Sequence, residues 1–281
     1  MRNVHRWKHS FSLFREVLRQ GRLHILPLGF ITILAGAAST GKITPVIAFK
    51  SILLSVVTSF VASAPNDYFD ADIDADVERK KITGSYVQDK NLGRKVAVSS
   101  VLLAVLTAFI MDSYARFSLL SIVVLSVLYS VPPFRFKGRA PLDSICNGLG
   151  AFFVFGIGVG LTGGGFEQVI PGAYWFTLIV TGVHGISAIP DMEQDRKEGL
   201  RTLPMLLGKN LTIGVTQLFV LIALYFENFS FLTSSFLVTM FLGLFVLYKE
   251  WDEINLNYML ILGVIYCTLY FAVYAVTRGV I

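Results

Sequence analysis

Charge is scarce in this chain. Only 15% of its 281 residues are Asp, Glu, Lys or Arg, against roughly 25% in soluble domains, while 54% are hydrophobic. That balance excludes an ordinary soluble globular domain and points to an integral membrane protein. Cysteine is nearly absent: Cys146 and Cys267 both fall inside apolar runs, where they act as small apolar filler and exclude a disulfide framework. Histidine is also sparse, and His184 has no second histidine at ligand spacing, so it reads as a hydrogen-bonded interior residue rather than a metal ligand.

What is present is a series of apolar runs of about 20 residues, the length that crosses the hydrocarbon core. Nine candidates stand out: Leu23–Ser39, Ile43–Pro65, Val96–Met111, Phe117–Pro133, Leu142–Leu161, Ile170–Pro190, Ile213–Tyr225, Leu232–Tyr248 and Tyr258–Val276. The stretch Leu23–Ala35 has the length of a signal-peptide apolar region, but the basic segment ahead of it reads as a working part of the chain. There, Val4, Trp7, Phe11, Phe14 and Leu18 recur at helical spacing among His5, Arg6, Lys8, Arg15 and Arg19, the pattern of a helix lying in the membrane interface over residues 1–22.

Lysines and arginines set the orientation, because they are retained on the cytoplasmic side. With the N-terminus inside, 20 of them lie inside and four, Lys42, Lys50, Arg116 and Arg278, lie outside. The net charge of +5 follows from this bias and gives no reason to invoke nucleic acid. The outer connections are short, and Thr162-Gly163-Gly164-Gly165 is a flexible turn. The inner segments 66–95 and 191–212 are long, polar and charged, as expected of loops that cap a site.

The acids that remain are concentrated. Asn66-Asp67-Tyr68-Phe69-Asp70-Ala71-Asp72-Ile73-Asp74-Ala75-Asp76 ends the second run, and Asp191-Met192-Glu193-Gln194-Asp195 ends the sixth. A carboxylate near the hydrocarbon core costs about 2.5 kcal/mol or more, so such residues mark function and need a cationic partner. If the second span continues as helix, Asn66, Asp67, Asp70 and Asp74 share one stripe while Asp72 and Asp76 point elsewhere. Asp191 and Asp195 are likewise one turn apart, with Ser187 and His184 deeper on the same stripe. Asp72, Asp76, Glu78 and Glu193 read as solvated loop charges.

Magnesium takes oxygen ligands, keeps several waters, and is typically held by one or two carboxylates plus phosphate oxygens. Two acidic faces can therefore hold two or more Mg2+ ions around a diphosphate, with the metals neutralising charge on the departing group. Arg22, Arg79, Lys80, Arg135, Lys137 and Arg139 fall at the same membrane face, where they either share the diphosphate or serve as positive-inside determinants. Asp143, at the head of the fifth run, reads as a helix N-cap. Tyr129 reads as an interfacial anchor or as a residue beside the reacting carbon.

The spacings Asn66-Asp67-x-x-Asp70-x-x-x-Asp74 with Arg79 following, and Asp191-x-x-x-Asp195-x-x-x-Gly199, resemble the paired signatures of the UbiA superfamily of intramembrane prenyltransferases. The resemblance covers essentially the whole chain. It implies an all-α, polytopic single domain over 1–281, with nine transmembrane helices around a central cavity and a cytoplasmic loop cap. It also implies magnesium-dependent transfer of a prenyl group from a polyprenyl diphosphate, geranylgeranyl or shorter, to a lipophilic acceptor in the bilayer. By matching positions, Asn66, Asp70 and Asp74 would serve the first metal and diphosphate, Asp67 fits the same motif, and Asp191 and Asp195 would serve the second. Arg22 and Lys137 resemble the basic diphosphate-binding positions, although the spacing after Tyr129 leaves the choice between Arg135 and Lys137 open. The stretches 129–139 and 184–191 look most like the lycopene elongase branch, with enzymes alkylating geranylgeranylglyceryl phosphate and quinone-ring prenyltransferases as alternatives. A cation transporter would instead place acids near the midplane on broken helices, and a lipid-binding relative without turnover is the other non-enzyme reading.

Overall fold

The computed structural model describes residues 13–22, 25–41, 43–74, 87–226 and 238–244. Among these residues every regular element is helical, and the one extended pairing is an isolated bridge between Arg139 and Arg201. In chain order the helices are α1 (13–20), α2 (Leu26–Thr40), α3 (Pro45–Phe69), α4 (Ala71–Asp74), α5 (Lys90–Phe109) and α6 (Ser113–Ser130). They continue with α7 (Leu142–Leu161), α8 (Phe166–Ser187), α9 (Met192–Lys197), α10 (Leu203–Leu207), α11 (Lys209–Phe226) and α12 (238–244).

Each of the first seven apolar runs falls on a helix. Five stretches are long and apolar enough to cross a membrane: α3, α5, α6, α7 and Gly172–Lys197. Helix α2 and Lys209–Ala223 are shorter apolar helices. The eighth run overlaps α12, and the ninth lies outside the described residues.

Local chemistry fixes the helix starts. Thr44 accepts the Ile47 N–H at 3.2 Å ahead of Pro45, where proline's missing N–H costs nothing. Asp89 accepts from Asn91 and Leu92 at 2.9 and 3.2 Å to open α5, satisfying amides that a helix start leaves orphaned.

Helix α7 is central and packs against α2, α6 and α8. Its contact with α2 is made backbone to backbone: a Cβ on Gly158 would sit 1.8 Å from the Ile33 carbonyl oxygen, and one on Gly36 would sit 2.0 Å from that of Phe155. Small residues allow this approach, which is how helices associate where lipid is as apolar as the side chains. Hydroxyls add specific ties, including Ser126 Oγ to the Val61 carbonyl at 2.5 Å and Thr216 Oγ1 to that of Gly182 at 3.0 Å. The outward faces are bare hydrocarbon. Leu102, Leu106, Phe109 and Ile110 of the α5 region are all exposed, Ile110 at 87%, a surface that bilayer rather than water satisfies. The protein is an integral membrane protein.

Helix α1 does more than rest on a surface. Phe14 is exposed, but Val17 packs against the cluster of Ala64, Val96 and Ala97. Its last carbonyls, of Gln20 and Gly21, accept from Ser63 Oγ at 2.6 Å and Ser59 Oγ at 2.5 Å. Glu16 accepts the backbone N–H groups of Gln88 and Asp89, each at 3.0 Å. Residues 1–12 of the expected interfacial helix lie outside the described residues.

Candidate active site

Asn66 and Asp67 occupy the last turn of α3, and the helix ends at Phe69. Asp70 caps it, its N–H bonded to the Asn66 carbonyl at 3.0 Å, and one further turn, α4, carries the backbone to Asp74. The unbroken helix expected through Asp74 is therefore interrupted at Asp70. Aspartate is a weak helix former whose side chain favours caps and turns, and here the ladder yields where acids accumulate.

Burial separates the acids by role. Asp67 is fully buried and Asp70 is 7% exposed, so both require positive partners. Arg22 Nη2 meets Asp67 Oδ1 at 2.6 Å. Arg135 Nη2 meets Asp70 Oδ1 at 3.2 Å, and Lys137, itself buried, pairs with the same oxygen. Lys137 Nζ also donates to Asn66 Oδ1 at 3.2 Å. Arg135 and Lys137 therefore both lie against the Asp70 carboxylate. By contrast Asp72 is exposed and pairs with Lys90, in keeping with a solvated charge. The side chain of Asp74, and residues Asp76, Glu78, Arg79 and Lys80, lie outside the described residues.

Arg22 and Arg135 share a second property. Among the described residues they are the two non-glycine positions with positive φ, 43° and 41°. Left-handed backbone is uncommon for a side chain of this size and persists where surrounding structure holds it, often at functional sites. Both bends deliver a guanidinium to the acidic end of α3.

The second acidic segment is also broken rather than continuous. Helix α8 ends at Ser187, Ile189–Asp191 form a 3-10 turn, and α9 begins at Met192. Pro190 causes the break, since it supplies no N–H to the ladder. The stripe expected to join His184 and Ser187 to Asp191 is interrupted, and the Ser187 hydroxyl returns to its own helix at the His184 carbonyl, 2.8 Å away. Asp191 and Asp195 are half-buried, and Asp195 Oδ2 accepts from Thr202 Oγ1 at 3.1 Å. Glu193 is exposed beside Lys197 at 4.0 Å.

The two acidic segments are joined through the loops between them. Residues 138–140, which follow Lys137, pair with Arg201: Arg201 N–H donates to the Gly138 carbonyl at 3.0 Å, and Ala140 N–H to the Arg201 carbonyl at 2.5 Å. Tyr129, at the end of α6, brings its hydroxyl within 3.4 Å of His184 Nε2, and the two rings meet edge to face.

One residue has a role other than the sequence suggests, and another carries no sequence signal. Asp143 is not the N-cap of α7; Pro141 holds that position. Asp143 is fully buried at the second position of α7, and its Oδ2 accepts the Leu203 N–H at 2.8 Å. Thr202, which holds Asp195, was the other. Neither has a local signal, because each partner comes from a distant or separately folded segment.

Among the described residues no three Asp, Glu, His or Cys side chains converge into a ready-made metal cage. Magnesium does not need one: it is held by one or two carboxylates, with phosphate and water completing its shell. The available donors are oxygens, and Asp67 Oδ2 is buried with no hydrogen-bond partner among the described residues. The donor set fits such an ion.

The fold and site define an all-helical membrane protein with a paired acidic and basic centre at the ends of its helices. The chain belongs to the UbiA prenyltransferase family, whose model matches residues 28–259. A lycopene elongase/hydratase from Haloarcula japonica is 36% identical over 188 residues, 64% of this chain and 60% of that protein. A digeranylgeranylglyceryl phosphate synthase from Natronomonas pharaonis is 27% identical over 231 residues, 79% of this chain and 78% of that protein. The chain thus spans less than two thirds of the lycopene elongase/hydratase it matches. In three dimensions it resembles a UbiA homologue from Archaeoglobus fulgidus bound to GPP and Mg2+, with a TM-score of 0.71 at 19% identity, over 92% of this chain and 99% of that one.

Proposed function

We propose that this protein transfers a prenyl group from a polyprenyl diphosphate, geranylgeranyl or shorter, to a lipophilic acceptor within the bilayer, releasing diphosphate with the help of two or more Mg2+ ions. The observation that carries this reading is the meeting of Arg22, Arg135 and Lys137 with Asn66, Asp67 and Asp70 at the end of α3. Acids alone would suit a cation path. Acids interleaved with arginine and lysine suit a polyanion that needs both metal and direct hydrogen-bond donors.

Asn66, Asp67, Asp70 and Asp74 hold the first metal, and Asp191 and Asp195 hold the second. Bound there, magnesium supplies Lewis-acid neutralisation of the leaving diphosphate. Arg22, Arg135 and Lys137 release their carboxylates in part and donate to the diphosphate oxygens, with Arg79 and Lys80 adding positive charge from the loop. Tyr129 presents an aromatic face and a hydroxyl beside the carbon that loses diphosphate, where a ring attracts developing positive charge. Ser187 lines the substrate side of the second segment. The loops 66–95 and 191–212 exclude water from the reacting carbon, as lids commonly do. Nine transmembrane helices surround the cavity in this reading, and the site faces the cytoplasm, an orientation that the positive-inside bias supports.

A carotenoid acceptor is supported by relatives named lycopene elongase/hydratase. A geranylgeranylglyceryl phosphate acceptor is supported by the longer alignment to a digeranylgeranylglyceryl phosphate synthase. A quinone ring precursor is the third option. Incubating the purified protein in lipid with labelled geranylgeranyl diphosphate and each acceptor, with and without magnesium, tests all three by product mass. A magnesium-dependent adduct names the acceptor. Intact donor with every acceptor refutes the proposal and returns the chain to the transporter and lipid-binding readings.

A further inference from the structure

The two acidic segments lie more than a hundred residues apart in sequence, yet a bound diphosphate would need them at a fixed spacing. The structure provides a splint for this. One end is Lys137, paired with Asp70 and Asn66. The other is Thr202, whose hydroxyl donates to Asp195 Oδ2 at 3.1 Å. Between them, residues 138–140 and Arg201 exchange two backbone hydrogen bonds. The clamp that closes the splint is Asp143, fully buried at the head of α7, accepting the Leu203 N–H at 2.8 Å and lying 3.4 Å from Ser144 Oγ.

Asp143 Oδ2 accepts the Leu203 N–H at 2.8 Å and, at a longer 3.4 Å, the Ser144 hydroxyl, a modest return for the desolvation of a fully buried carboxylate. Among the described residues Asp143 Oδ1 is buried with no hydrogen-bond partner, so the carboxylate is only half satisfied there. What its position achieves is geometric. Leu203 follows Thr202 directly, so fixing the Leu203 amide fixes the residue that orients Asp195. Groups that orient metal-binding carboxylates commonly change metal affinity or activity by about 10–100-fold when removed.

We propose that Asp143 is a positioning residue: through the Leu203 amide and Thr202 it sets Asp195 at the spacing from Asp70 that the metal-bound diphosphate requires. This rests on the prenyl-transfer reading given above. The acid's role is to hold the second segment in register with the first, and it touches neither donor nor acceptor.

The test pairs hydrogen exchange with kinetics on the full-length protein in lipid. Asp143→Ala should speed exchange of the amides around Leu203 and raise the apparent KM for magnesium by about tenfold, while kcat at saturating magnesium stays within about threefold. Asp143→Asn, which still offers an oxygen to Leu203, should restore both. Thr202→Val should reproduce the magnesium effect without loosening Leu203, which guards against an Asp143→Ala protein that folds poorly. Unchanged exchange in Asp143→Ala, or faster exchange with an unshifted magnesium curve in both variants, overturns the proposal. Failure of the unmutated protein to turn over with magnesium instead overturns the function on which it rests, and the exchange arm keeps the two failures distinct.

Discussion

Arg22 reaches Asp67 at 2.6 Å across 45 residues of chain, and it does so from a left-handed backbone at φ 43°. The turn that carries it is held on both sides: the Gln20 and Gly21 carbonyls are bonded by Ser63 and Ser59 of α3, and a Cβ on Gly21 would lie 2.3 Å from the Phe60 ring. The segment from Gln20 to Arg22 is therefore built against the same helix that carries the acids. The docking of α1 and the acidic end of α3 are parts of one structure.

Removing Arg22 leaves Asp67 buried and unpaired. Breaking a fully buried pair costs roughly 3–5 kcal/mol; Arg22 keeps 33% of its side-chain surface exposed, so Arg22→Ala should cost roughly 2 kcal/mol. The double variant Arg22→Ala, Asp67→Asn removes the stranded charge and should recover most of that loss. Thermal denaturation of both in the same detergent checks this, and an equal loss in the two would argue against a charge-driven penalty.

Asp70 is the shared partner of Arg135 and Lys137. Asp70→Ala should bring magnesium-dependent transfer to background with helix content by circular dichroism unchanged. Lys137→Ala should lower turnover by roughly 100-fold, the scale of losing one donor aimed at developing negative charge. Retention of full activity by either protein would remove the site from α3.

Tyr129 separates two modes of action. If its ring face stabilises positive charge, Tyr129→Phe keeps activity within about tenfold while Tyr129→Leu falls further, since cation–π attraction is worth about 0.5–2 kcal/mol. If its hydroxyl bond to His184 is what matters, Phe and Leu fall together. The ratio of kcat values for the two variants decides.

The crossing of α2 and α7 should be intolerant of a single methyl. Gly158→Ala places a carbon 1.8 Å from the Ile33 oxygen and should cost about 1–3 kcal/mol by overpacking. Gly150→Ala, on the same helix with nothing within 4 Å, is the control and should be neutral. Melting temperatures of the two proteins compare them directly.

Much of this architecture is legible in composition. Apolar runs must be helical where no water can satisfy the backbone, so the first seven runs coincide with helices, and Leu142–Leu161 does so to the residue. The acids Asp67 and Asp70 were legible for the same reason, since a charge beneath an apolar span requires a partner. The breaks were less so. Pro190 signals an interruption, but the helix restarts at Met192 and carries Asp195 within it. Asp70 ends α3 with no glycine or proline to mark the end. Asp143 looked like a cap because capping is a local pattern, whereas its partner, Leu203, is 60 residues away. Choosing between Arg135 and Lys137 was likewise impossible by spacing, because a left-handed bend at Arg135 brings both to one carboxylate.

The central claim is that the acidic end of α3 binds a diphosphate through magnesium. Calorimetric binding of a non-ionisable thiodiphosphate analogue of the donor, in lipid nanodiscs, tests it without reference to the acceptor. The account predicts binding that requires magnesium in the unmodified protein and is lost in Asp70→Ala. Equal binding with and without magnesium, or in both proteins, would contradict it.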